Sequence, residues 1–111
     1  MGLFKKKKDE RNTNPSSPKI TSFDKIVYKV VNKSNDDDTL YDIADTILDG
    51  RPVLIKFEND VVDANRMLAF LSGICYATDG RVIQIAQKLF LLAKKEEFND
   101  GTLYQYIEDV K

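Results

Sequence analysis

The sequence contains no histidine, no tryptophan and a single cysteine. Without histidine, no His-based triad, Cys–His dyad or His-ligated metal site can be assembled. A lone cysteine forms no internal disulfide, which excludes a stapled extracellular scaffold and favours a reducing, intracellular setting. The five glycines stand apart at positions 2, 50, 73, 80 and 101, so no glycine-rich loop cradles a phosphate. No stretch approaches the ~18 apolar residues of a membrane-spanning helix. No apolar run of about 7–15 residues follows the N-terminal lysines, so a secretory leader is not expected. Lys6 stands where a myristoylation signal wants Ser or Thr.

What is present fits one small domain of 111 residues, 42% hydrophobic and 32% charged. The net charge of −1 hides a segregation. Residues 1–19 carry six basic and two acidic side chains, a net +4. Residues 20–111 carry 11 basic and 16 acidic side chains, a net −5. The chain therefore divides into a basic N-terminus (1–11), a polar linker (12–22) and an acidic folded unit (23–111). The first 19 residues are too poor in apolar side chains to fold alone.

From Ile20 the pattern becomes structured. Lys25 to Val31 is β-branched and aromatic and predicts a strand. Thr39 to Asp49 predicts a helix, with Leu40, Ile43, Ala44, Ile47 and Leu48 on one face. Thr39-x-x-Asp42 has the form of a capping box, and Asp36, Asp37 and Asp38 precede it at the positive end of the helix dipole. Gly50 and Pro52 supply the stop. Pro52 to Glu58 predicts a buried strand, parallel to the first because a helix joins them. Asp60 to Thr78 predicts a longer helix. Ala64, Met67, Leu68, Leu71 and Cys75 form its apolar stripe, which Phe70 and Ile74 widen. Arg81–Ala86 and Leu89–Ala93 predict a hairpin across Gln87-Lys88, and Thr102 to Val110 a last short helix. The fold class is α/β, an α+β sandwich in the order β-α-β-α-β-β. Two main helices cover one face of a small mixed sheet. The thinly covered second face predicts a homodimer.

Few residues suggest chemistry. The aspartates around residues 36–49 lack the alternation and bend of a calcium loop and read as capping and solvated surface. Cys75 sits on an apolar stripe with no histidine to activate it, and reads as structural. No metal or cofactor is expected. Ala69, Gly73 and Ala77 recur every four residues, a row that lets another backbone approach closely. Leu3 and Phe4 beside Lys5, Lys6, Lys7 and Lys8 make an apolar tip on a basic stem, suited to reversible contact with an anionic membrane surface. Nucleic acid is not an expected partner, because the body is acidic and no aromatic–basic interleaving is present.

The span Tyr41–Leu92 resembles the core domain of SepF, a family of bacterial cell-division proteins. The resemblance rests on Asp42-Ile43-Ala44-Asp45, Gly50-Arg51-Pro52-Val53 and Phe70-Leu71-Ser72-Gly73-x-x-Tyr76-Ala77. It continues through Ile83-Gln84-Ile85 and Leu89-Phe90-Leu91. It implies a non-enzymatic adaptor that dimerises or polymerises and binds the C-terminal tail of the tubulin-like protein FtsZ. It also implies a tether to the inner face of the cell membrane at the division site through the N-terminus. The resemblance places Ala64 and Phe90 in the partner-binding region; Leu68 and Gln84 join them as candidate partner-binding residues, and the small row Ala69, Gly73 and Ala77 is the candidate for self-association. This chain departs from the family pattern at Gln84, where a basic residue is frequent, and at Asp79-Gly80, where Gly-Gly is usual. The competing reading is a small regulatory dimer that binds a metabolite at its interface. An enzyme would need a carboxylate-only or lysine mechanism, for which no pattern stands out.

Overall fold

The computed structural model describes residues 20–34 and 36–110. Four strands, β1 (Val27–Val31), β2 (Val53–Phe57), β3 (Arg81–Ala86) and β4 (Leu89–Ala93), form one sheet in the order β1-β2-β4-β3. Three helices accompany them: α1 (Asp37–Leu48), α2 (Val61–Ala77) and α3 (Thr102–Val110). Single 3-10 turns occupy Phe23–Lys25 and Lys95–Phe98. β1 and β2 are parallel, as the intervening helix requires, and β4 runs antiparallel to β2 and β3. This is the expected α+β class, with β2 in the interior as its Val-Leu-Ile run predicts.

Local chemistry starts the two main helices. Asp36 caps α1, its carboxylate accepting from Thr39 N–H at 3.1 Å and from Thr39 Oγ1 at 2.7 Å. These two bonds hold the Asp36 carboxyl below its ordinary value. The expected cap at Thr39 is therefore corrected. An aspartate three residues earlier takes the role, and Thr39 becomes its donor. Gly50, at φ +91°, leaves α1 through a left-handed turn that a side chain would strain. Asp60 caps α2 by accepting from Val62 N–H at 3.0 Å.

The core has two layers. Leu40, Ile43, Ala44 and Ile47 of α1 and Met67, Leu71 and Cys75 of α2 pack on Val31, Val53, Ile55, Phe57 and Leu92 of the sheet. Removing each large side chain from water contributes about 1.5–3 kcal/mol. Phe70, expected to widen the buried stripe of α2, instead faces outward at 42% exposure and stacks edge-on with Tyr41. The second sheet face is better covered than its sequence suggests. Ile85, Leu91 and Ala93 bury against Phe98 and Leu103, while Tyr28 and Val30 of β1 stay exposed.

The start of the folded unit is clasped to its end. Ser22 Oγ donates to Glu97 at 3.0 Å, and Lys25 Nζ pairs with the same carboxylate at 2.6 Å. Ser22 N–H donates to Asp100 at 2.9 Å, and Phe23 N–H to Thr102 Oγ1 at 3.0 Å. Glu97 is buried, so both partners offset the loss of its hydration.

Strand direction separates two ends of the molecule. The ends of β1 and β2, the Gln87-Lys88 turn and the starts of α1 and α2 gather at one end. The starts of β1, β2 and β3 gather at the other, where Ile20 and the clasp lie.

Candidate partner-binding groove

At the first of those ends, α2 and the β3–β4 hairpin leave a groove of about 230 Å³ between them. Periodicity builds one wall. Val61, Ala64, Asn65 and Leu68 share the side of α2 that turns toward the hairpin. Register builds the other. Gln84 stands opposite Phe90 on adjacent strands, and Phe90 stands opposite Ile55. Phe90 is half-buried and meets Phe57 edge-to-face, with ring centroids 5.9 Å apart. A register shift between Gln84 and Ala86 marks β3 at this point, and the Gln84 amide donates across it to Ala86 O at 3.3 Å. Gln87 and Lys88 close the groove.

The structure thus brings Ala64, Leu68, Gln84 and Phe90 into one concave surface. Sequence reasoning missed Phe57, Val61, Asn65, Gln87 and Lys88. Val61 and Asn65 share a helical face with Ala64 and Leu68, a signal that was readable. The hairpin pair was not, because only strand register turns it toward α2.

Chemically the groove is apolar at its floor and polar at its rim. Its floor is Phe57, Ala64, Leu68 and Phe90, and its rim carries three amides and one lysine. Among the described residues no nucleophile or carboxylate pair lines it. A larger open cleft of about 490 Å³ lies near the other end, with Asp79, Arg81, Lys95 and Tyr104 on its walls. Its charges of both signs define no ligand, and none of the candidate partner-binding residues lines it.

The small-residue row lies elsewhere. Ala69, Gly73 and Ala77 are all exposed, and a Cβ built on Gly73 meets nothing within 4 Å. The row therefore packs on no described part of its own chain. Val62, at 74% exposure, and Tyr76, at 86%, leave further apolar surface on α2 open. Cys75 is buried, and burial pushes its thiol up to about 11, so it stays protonated and unreactive near neutral pH. Among the described residues no group of three His, Cys, Asp or Glu side chains is arranged for a metal. No described helix is long and apolar enough to cross a membrane. Leu3, Phe4 and Lys5 to Lys8 lie outside the described residues.

Comparison with known proteins agrees with the sequence motifs. The profile of the family described as "Cell division protein SepF" matches residues 29–96. A cell division protein SepF of Ruminiclostridium cellulolyticum is 35% identical over 75 residues, covering 67% of this chain and 48% of that protein. A SepF of Staphylococcus aureus is 32% identical over 71 residues, covering 63% and 38%. One of Lachnoclostridium phytofermentans is 38% identical over 53 residues, covering 47% and 26%. The chain spans about half or less of the length of these curated relatives. With the family profile matched from Lys29 through β4 and into the turn that follows, the chain belongs to the SepF family of cell-division proteins.

Proposed function

We propose that this protein is a non-enzymatic cell-division adaptor that binds the C-terminal tail of FtsZ in the α2–hairpin groove and tethers it to the membrane through residues 1–11. The observation that carries the reading is the convergence of Ala64, Leu68, Gln84 and Phe90 on one groove. These residues come from a helix and two strands; the family resemblance had marked Ala64 and Phe90, and Leu68 and Gln84 line the same groove. The two-ended layout supports it as well. The groove lies at one end, and the chain enters the folded unit at the other, so a tether there leaves the groove free for a partner.

The tether is electrostatic with a small apolar part. Each lysine close to an anionic leaflet contributes about 1 kcal/mol, and Leu3 and Phe4 add a partial insertion. Single-chain binding is therefore weak and reversible. Self-association multiplies it by presenting several arms together.

One co-sedimentation experiment tests both halves. A labelled FtsZ tail peptide is mixed with anionic vesicles and the protein. The peptide is expected to pellet with the intact protein and to stay in the supernatant when residues 1–11 are removed. Equal pelleting of the two proteins refutes the tether, and failure of the peptide to pellet with a bound protein refutes the tail site.

Self-association is proposed to use the open Ala69–Gly73–Ala77 row. Gly73→Lys places a charge in space that is empty within the chain, so the fold tolerates it. The expected result is a lower mass by light scattering at high concentration, with thermal stability changed by less than about 1 kcal/mol. An unchanged mass across concentrations removes the row from the interface.

A further inference from the structure

Lys88 is the only ionisable side chain among the described residues lining the groove. Its placement is built into the hairpin. Gln87 and Lys88 form the two-residue turn between β3 and β4, and Lys88 holds a φ of +67°. That left-handed conformation is uncommon for a residue with a side chain, and Asn or Gly is the usual occupant of such a turn. Phe57 N–H donates to Lys88 O at 2.8 Å and holds the turn against the end of β2.

The ammonium is available. Ion pairs among the described residues join Lys25 to Glu97, Lys29 to Asp42, Lys56 to Glu58 and Arg66 to Asp37, and none involves Lys88. Two aspartates stand near the start of α2. Asp60 is committed to Val62 N–H. Asp63 is turned well away from the Val61, Ala64 and Leu68 side by helical spacing. The rim groups Asn65, Gln84 and Gln87 are neutral amides that both donate and accept. An apolar floor with one uncommitted cation at its rim complements a peptide that carries a carboxylate beside its apolar side chains.

We propose that Lys88 reads the charge of the docked peptide: its ammonium pairs with a carboxylate of an acidic, apolar segment and selects it over neutral or basic ones. This rests on the groove being the peptide site proposed above.

The test measures the anisotropy of a labelled FtsZ tail peptide with the full chain at about 50 and about 300 mM salt, where screening lengths differ by about 2.4-fold. Lys88→Gln is expected to weaken binding about fivefold at low salt, the scale of a partly exposed ion pair. It is also expected to flatten the salt dependence, and Lys88→Arg to keep both. A peptide with its acidic side chains amidated should lose the same factor against the unaltered protein and nothing further against Lys88→Gln. Unaltered affinity and salt dependence in Lys88→Gln overturn the inference while leaving the groove as the peptide site. Loss of vesicle pelleting in Lys88→Gln with peptide binding intact also overturns it, because the lysine then serves a lipid surface. If the unaltered protein fails to bind the peptide at either salt, the groove reading itself fails.

Discussion

Replacing Gly80 with alanine is expected to destabilise the domain by about 3 kcal/mol and to lower its melting temperature by roughly 15 °C. The cause is close approach. A Cβ on Gly80 would collide with Ala93 O and stand 3.0 Å from Lys94 Cα and 3.1 Å from the Ala93 carbonyl carbon. All three are backbone atoms, so no side-chain rotation relieves the contact. Arg81, the next residue, pairs with Ala93 in the sheet. Relief therefore means drawing β3 away from β4, and with them the hairpin wall of the groove. Gly73→Ala is the control, since its methyl meets nothing within 4 Å. That change is expected to be neutral or to stabilise α2 by up to ~1 kcal/mol, the helix-propensity difference. Thermal unfolding followed by circular dichroism measures both. Equal melting temperatures for the two variants would show that the Gly80 contact relaxes freely.

Phe90→Ala is expected to lower affinity for the FtsZ tail peptide by about 30-fold or more, the loss typical of a central aromatic anchor. Phe90 lines the groove and packs against Phe57, so truncation removes floor area and the edge-to-face contact together. The same packing ties Phe90 to the core, and stability should fall by about 2 kcal/mol, less than for a fully buried phenylalanine. Phe90→Leu separates the two effects. It keeps most of the buried volume, at a cost below about 1.5 kcal/mol, and removes the ring. Titration of labelled peptide against variants shown to be folded by circular dichroism reads the result. Undiminished affinity in folded Phe90→Ala refutes the groove as the tail site.

Much of the fold was legible because its signals are local. Alternating and 3.6-residue patterns marked four strands and three helices, and β3, β4 and α3 lie where their patterns put them. The βαβ order required the parallel β1–β2 pair that is observed. The candidate set was legible only in part. Ala64 and Phe90 came from resemblance, and nothing in the neighbourhoods of these two, Leu68 or Gln84 predicted that the four converge.

The sequence by itself determined which segments form elements, that catalysis by histidine is impossible, and that positive charge concentrates before residue 20. Those properties depend on composition and on neighbours a few residues apart. The stripe of α2 that carries Met67, Leu71 and Cys75 is inside, as its spacing predicts. The tertiary structure alone decided how wide that buried side is, and it leaves Phe70 outside. It decided that Ser22 closes on Glu97, 75 residues away, and that Gly80 has no room for a methyl group. It also decided that Lys88 stands beside Ala64 and Phe90. Each of these is a meeting of distant segments, set by strand register and helix orientation, and neither is written in the spacing of any one stretch of chain.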